Sequence, residues 1–471
     1  MNSSQHASAT PGARDRFACD TALLARYDVR APRYTSYPTA PQFSDALGEE
    51  GYRRNALACQ RPGQPLSVYV HIPFCRTVCF YCGCNKVITA NYRRAGGYLD
   101  RLAREMALQA PLFVDRQVTQ LHFGGGTPTY LHEDDLRRVM ADLARSFDLT
   151  ASPGREYSIE IDPRTVDGAK VALLAELGFN RMSLGVQDLD AQVQQAVNRR
   201  QSLQQTAAVL AAARASGFRS SSVDLIYGLP LQTPASFART LDAVIGLRPE
   251  RIAVYGYAHM PAIFKVQRQI PAATLPDPAT RLQLLALSIE RLCDAGYLYI
   301  GMDHFALPDD ELARAREDAT LQRNFQGYST HARCDLLGLG VSAIGRIGDS
   351  YAQNARDLAQ YQRCIDEGRL AVVRGFAMSA DDRARSDVIQ ALMCQGHVDF
   401  QAIGARHALR FTQYFARELE RLRPLAADGL VDLEGEHIDV TPRGRLFLRN
   451  LAMVFDAYLP AQGAEGFSRA V

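Results

Sequence analysis

The sequence predicts an α/β protein organised on a parallel β-sheet, and three observations carry that expectation. From residue 67 onward, six short apolar runs alternate with amphipathic stretches of helical period. Segments rich in glycine, cysteine or polar residues follow the apolar runs. The C-terminal ends of parallel strands would lie there, where α/β folds place their chemistry. A chain of 471 residues is also long enough for two or three domains with a large core.

The elements follow in order. Residues 1–18 are small and polar without the apolar centre of a signal peptide, so they read as a disordered tail. Residues 19–65 form an N-terminal extension whose stretch PRYTSYPTA (32–40) is kept from helix by its prolines. Such a segment is either a strap between elements or a flap over a flat anionic ligand. Arg33, Tyr34 and Tyr37 are the side chains suited to the second role. Strands are expected at 67–72, 119–123, 157–161, 181–185, 221–226 and 251–257. Helices are expected at 98–110, 136–147, 169–178, 203–217 and 234–247, with a further one near 278–295. The pattern leaves open a doubly wound or a barrel-like sheet.

Glycine-rich loops then run to 348, including CDLLGLGVSAIG at 334–345. Residues 349–471 make a separate C-terminal region, with helix expected at 381–397 and then a helix, a β-hairpin and a final helix. That order resembles a winged helix. Without a concentrated basic stripe it reads as a packing domain and not as a DNA reader. The net charge of +2 gives neither nucleic acid nor a membrane surface an electrostatic hold. No apolar run approaches the ~18 residues that span a bilayer. No helical dimer seam is evident, so the chain reads as a cytoplasmic monomer.

Four of the ten cysteines fall within YVHIPFCRTVCFYCGCNK, residues 69–86. Cys75, Cys79 and Cys82 form C-x3-C-x2-C, which lets three thiolates reach one metal centre, and Cys84 follows. Spacing alone allows an iron–sulfur cluster or a structural zinc knuckle. The remaining six cysteines are scattered, as in a reducing compartment.

The spacing, with an aromatic residue (Tyr81) before the third cysteine, is similar to the signature of the radical S-adenosylmethionine (SAM) superfamily. The wider context resembles the oxygen-independent coproporphyrinogen III oxidase family of haem synthesis. PRYTSYPTA, YVHIPFC (69–75), CGCNK (82–86), GGGTPTY (124–130) and SLGVQD (183–188) carry the likeness. So do VDLIYGLP (223–230), GMDHFA (301–306), NFQGY (324–328) and GVSAIG (340–345), together covering nearly the whole chain.

The resemblance implies an incomplete (β/α)6 radical-SAM barrel with accessory elements over residues 66–348. It adds the N-terminal extension and a small, mostly helical, winged-helix-like C-terminal domain. Cys75, Cys79 and Cys82 would hold a [4Fe–4S] cluster whose fourth iron takes SAM. Two SAM molecules are implied. Their contacts would be Tyr69, Tyr81, Gly125, Gly126, Thr127, Glu160, Gln187, Arg199, Asp224, Ala258 and Ile344. His71, Tyr69 and Cys84 are the candidates for roles in the reaction. Taken as bare residues, His71 is more readily a satisfied core histidine, and Cys84 is either a spare thiol or a reactive one near the substrate. The implied substrate is coproporphyrinogen III, whose four carboxylates call for arginines in the pocket. The reaction also requires an electron donor and an acceptor, neither identified by the sequence.

Two competing readings are a haem chaperone and a zinc-stabilised binding module. The first keeps the three cysteines, but such relatives generally lack PRYTSYPTA and the CGCNK continuation, and this chain has both.

Overall fold

The computed structural model describes residues 21–331, 334–459 and 467–469. The tail expected over residues 1–18 lies outside the described residues. All six expected strands form: β1 (Leu66–Ile72), β2 (Gln117–Gly125), β3 (Glu156–Ile161), β4 (Arg181–Gln187), β5 (Ser220–Tyr227) and β6 (Arg251–Gly256). They pair in parallel and in sequence order. Successive neighbours without a reversal of order make a barrel-like sheet and not a doubly wound one.

The sheet curves around a polar lumen. Gln120, Glu156, Arg181, Ser220 and Arg251, one residue from each of β2 to β6, line a single cavity of about 110 Å³. The intervening residues face the other way. Leu121, Phe123, Ile159, Leu184, Val223 and Val254 are buried beneath the crossover helices. Strict alternation along TQLHF thus puts Gln120 and His122 inside and Leu121 and Phe123 against helices. Each such apolar side chain contributes roughly 1.5–3 kcal/mol by leaving water.

The helices begin where caps permit. Ser202 and Gln205 close a capping box ahead of Leu203–Ala215, and Thr233 with Ser236 does the same ahead of Pro234–Leu247. The first crossover helix, Arg93–Gln109, starts five residues before the expected 98, because Ala95 packs into the core and carries Gly96 and Gly97 with it.

The glycine-rich stretch 334–345 is less loop-like than expected. Asp335–Leu339 is a strand parallel to β1 on its free edge, followed by the antiparallel strands Ile344–Ile347, Ser350–Asn354 and Val372–Ala377. Its glycines serve close backbone approach: a Cβ on Gly338 would lie 2.8 Å from the Ile344 backbone. At the other edge an antiparallel hairpin, Leu298–Gly301 with His304–Ala306, pairs with β6. The described sheet ends in two different strands and stays open. The division expected after residue 348 falls in the turn of a hairpin, and the sheet runs on to Ala377.

Beyond it, Ala380–Cys394 opens the helical C-terminal region, which holds Ala416–Ala427, the hairpin Val431–Asp432 with His437–Val440, and the helix Leu448–Met453. Its core includes Val388, Leu392, Phe415 and Phe455, and it absorbs Leu24, Tyr34 and Tyr37 of the N-terminal extension. No helix among the described residues is long and apolar enough to cross a membrane.

Candidate active site

The site is built at the C-terminal ends of β1 to β6. After β1 the chain forms a two-residue parallel pairing, Phe74–Cys75 with Val87–Ile88, which closes residues 76–86 into a lariat. Cys75 lies 3.3 Å from the Thr127 hydroxyl, and Cys79 accepts from Arg199 at 3.4 Å. Burial, and behind it the neighbouring Cys82 and Cys79 thiols, push Cys75 up to about 11, so the three sulfurs share one electrostatic neighbourhood. Among the described residues no three His, Cys, Asp or Glu side chains converge on a single ion. A backbone cradle lies beside the cysteines: a Cβ on Gly126 would meet the Pro73 carbonyl oxygen at 2.5 Å. Soft sulfur donors, this cradle and the buried, unpartnered Nε of Arg199 fit an iron–sulfur cluster with a polar cofactor on it.

Tyr69 and His71 point along one face of β1. His71 Nε2 lies 2.9 Å from the Asn85 carbonyl, which only accepts, so Nε2 carries the proton. Nδ1 then accepts from the Tyr69 hydroxyl at 3.0 Å. Burial lowers the His71 pKa, and the ring is a neutral brace between strand and cluster loop. A Cβ on Gly125, whose φ is +110°, would lie 2.6 Å from that ring. The absence of a side chain at Gly125 is therefore required by the histidine.

Glu160 accepts from the Gly125 N–H at 3.1 Å and lies 3.3 Å from His122 Nε2. Desolvation in the barrel mouth favours its neutral form, but His122 and the Gly125 amide outweigh it and hold the carboxyl below its ordinary value. Its side chain keeps 44% of its surface open, leaving room for a ligand's hydroxyls or ammonium. Asp224 accepts from Ser183 at 2.7 Å and is pushed up to about 7, by burial first and by the Glu160 charge as well.

Arg199 donates to Asp162 at 3.2 Å and to the Gly185 carbonyl at 2.6 Å, besides Cys79. Gln187, the last residue of β4, sits at φ +70°, and the missing Cβ of Gly185 makes room for its amide. Gln267 binds the Tyr81 and Ala258 carbonyls at 2.9 and 3.2 Å, fixing the cluster loop to the segment after β6. Ile344 backs onto Gly338, the strand partner of Tyr69. Cys84 is exposed, and its thiol draws down the pKa of Cys82 by hydrogen bonding.

The N-terminal residues divide. Tyr34 donates to Asp456 at 3.0 Å and Tyr37 accepts from the Ala457 N–H at 3.1 Å; both are fully buried in the C-terminal core. They are the strap and do not reach the mouth of the barrel. Arg33 does, where it pairs with Asp303 and lies over the Tyr255 ring. Sequence reasoning missed His122, Gln267 and Lys86, whose Nζ caps the Cys82 carbonyl at 3.2 Å. His122 alone carried a signal, since it alternates with Gln120 on a strand and shares the level of the glycine run.

Two family matches and several relatives fit this geometry. The Radical SAM superfamily matches residues 69–244, and the HemN C-terminal domain matches residues 378–447. An oxygen-independent coproporphyrinogen III oxidase of Pseudomonas aeruginosa is 51% identical over 97% of this chain and 100% of its own length. The Escherichia coli protein of that name is 49% identical over 96% of this chain and 98% of its own. The solved structure of coproporphyrinogen III oxidase (HemN) from Escherichia coli, described as a radical SAM enzyme, superimposes with a TM-score of 0.90 at 48% identity. It covers 94% of this chain and all of that one. The C-terminal match begins at 378, just beyond the last strand of the sheet. This chain belongs to the oxygen-independent coproporphyrinogen III oxidase family of radical SAM enzymes.

Proposed function

We propose that the chain converts coproporphyrinogen III to protoporphyrinogen IX by decarboxylating the propionates of rings A and B to vinyl groups without oxygen. The observation that carries this is full-length similarity to enzymes of that name, combined with convergence of the cysteine triad, glycine cradle, Glu160 and Arg199 at one barrel mouth. Held by Cys75, Cys79 and Cys82, a [4Fe–4S] cluster with SAM would supply the radical chemistry that activation of a propionate β-carbon and loss of CO2 require.

The residues of this chain bind, orient and exclude water. Cys75, Cys79 and Cys82 would hold the cluster and leave a position on it for SAM. The open backbone of Gly125 and Gly126, with Thr127, receives the SAM amino group. Glu160, Tyr69, Tyr81 and Ile344 are further contacts for bound SAM. Gln187, Arg199, Asp224 and Ala258 complete the set of contacts for SAM and for a second SAM beside it. His71, with both nitrogens engaged inside the protein, braces the loop and does not exchange a proton with substrate. Cys84 is the spare thiol. The stoichiometry requires an external one-electron donor and an acceptor. The protein works as a cytoplasmic monomer without nucleic-acid or membrane partners.

Anaerobically purified, cluster-reconstituted protein given a reductant, SAM and coproporphyrinogen III tests the reading. Stepwise loss of two carboxyl groups alongside 5′-deoxyadenosine supports it. Deoxyadenosine with an unchanged tetrapyrrole refutes this substrate, and haem binding with neither product points to the chaperone instead.

A further inference from the structure

A strongly cationic cleft lies outside the SAM contacts, between the barrel mouth and the C-terminal region. Its floor is formed by Tyr227 and Gly256, the last residues of β5 and β6, so it opens beside the segments that carry Asp224 and Ala258. Arg33, Arg281 and the neighbouring Arg445 and Arg449 come to it from three separate parts of the chain, and Asp303 is the one carboxylate among the described residues that line it. Arg469 stands at the rim, with its charge answered by Asp28 at 2.6 Å.

The arginines are differently engaged. Arg449 is structural: it donates to the Pro32 carbonyl at 3.0 Å and to the Ala31 carbonyl, and so sets the backbone that presents Arg33. Arg33 is paired with Asp303. Arg281 leans on Gly228, where a Cβ would lie 3.4 Å from its Nε, and it forms no ion pair among the described residues. The positive charge is crowded, because burial and then the Arg33 charge pull Arg449 down to about 10. The charges of Arg281, Arg33 and Arg449 also converge on the Tyr227 phenol. Arg281 thus stands beside the Arg33–Asp303 pair with no carboxylate of its own among the described residues, and planar guanidinium forks match carboxylates.

We propose that this arginine cleft seats the propionate carboxylates that the reaction leaves intact, holding the macrocycle by its far edge while a reacting propionate enters the barrel mouth. The proposal rests on the decarboxylase reading and adds the residues that choose a polycarboxylate tetrapyrrole. Arg281 is the specificity residue, Arg33 its partner, and Gly228 the position that admits the Arg281 side chain.

The test uses reconstituted full-length protein with SAM, and two probes: coproporphyrin III and its tetramethyl ester, followed by fluorescence. Wild-type protein should bind the tetracarboxylate well and the ester poorly. Arg281→Ala should weaken tetracarboxylate binding about tenfold or more, as expected for losing one charge-assisted contact. Arg281→Lys should recover part of it, while iron content and SAM affinity stay at wild-type values. Equal binding of acid and ester by the wild type overturns the proposal. So does an Arg281→Ala protein with wild-type tetracarboxylate affinity, even if it decarboxylates normally. A wild type that makes deoxyadenosine yet never alters coproporphyrinogen III removes the decarboxylase reading and this inference together.

Discussion

The Arg199 guanidinium donates to the Cys79 sulfur at 3.4 Å across 120 positions of sequence. The same group binds Asp162 and the Gly185 carbonyl, so one cation ties the cluster loop to the ends of β3 and β4. Helix, loop and strand ends meet at this residue, and the cofactor residues of the site depend on it for their mutual placement.

Arg199→Ala should therefore lower deoxyadenosine formation by at least about tenfold. It should also destabilise the fold by about 1–3 kcal/mol, because buried Asp162 keeps only Arg164 as a cation. Arg199→Lys should restore part of the stability and little of the activity, since an ammonium cannot span three acceptors as a fork does. Thermal unfolding and a deoxyadenosine assay on the same preparations check both halves.

Gly126→Ala should displace the cluster loop, since the new methyl would meet the Pro73 and Phe74 carbonyl oxygens at 2.5 and 2.9 Å. A loss of about 2–4 kcal/mol and poor iron retention after reconstitution are expected. Gly96→Ala is the contrasting variant. Gly96 lies in the helix Arg93–Gln109 with nothing within 4 Å of its would-be Cβ, so alanine there should stabilise by about 0.5–1 kcal/mol.

Iron and sulfide content should separate the cysteines. Cys79→Ser should lose the reconstituted cluster, whereas Cys84→Ser should keep it, because Cys84 is exposed and stands beside Cys82 outside the triad. Full iron loss in Cys84→Ser would make it a ligand after all.

Stability should also fall with pH in a way traceable to Glu105. Its carboxyl is completely buried and accepts from Tyr361 at 2.7 Å, the Gly340 N–H at 2.7 Å and Asn354 at 2.6 Å. Burial outweighs these bonds and raises its pKa to about 7. A carboxyl raised in the folded state makes the native protein bind the extra proton. Its contribution is full below the ordinary glutamate range and is lost as pH rises through about 7, on the order of 3 kcal/mol in all. Denaturant midpoints of the apo-protein between pH 5 and 8 should show that slope, and Glu105→Gln should flatten it. An unchanged slope in Glu105→Gln would assign the effect to another group.

The sequence by itself determined the six parallel strands, the crossover helices and the close spacing of Cys75, Cys79 and Cys82. Each is written in local chemistry: period-2 and period-3.6 patterns, capping residues, and thiols spaced to wrap one centre. It also determined the glycine run, though not its causes, which are the Glu160 carboxylate, the His71 ring and the Pro73 carbonyl lying where side chains of Gly124, Gly125 and Gly126 would go. Tertiary structure alone decided the rest. Asp335–Leu339 became a strand because β1 offered it a free edge, which no local pattern records. Tyr34 and Tyr37 became buried rivets because partners more than four hundred residues away close over them. Arg281, Arg445 and Arg449 look like ordinary surface arginines in one dimension. They gather with Arg33 around Tyr227 because an open sheet needs its mouth covered, and the C-terminal region that covers it brings its charges along. Proximity between distant residues is set by packing of whole elements, and only folding computes it.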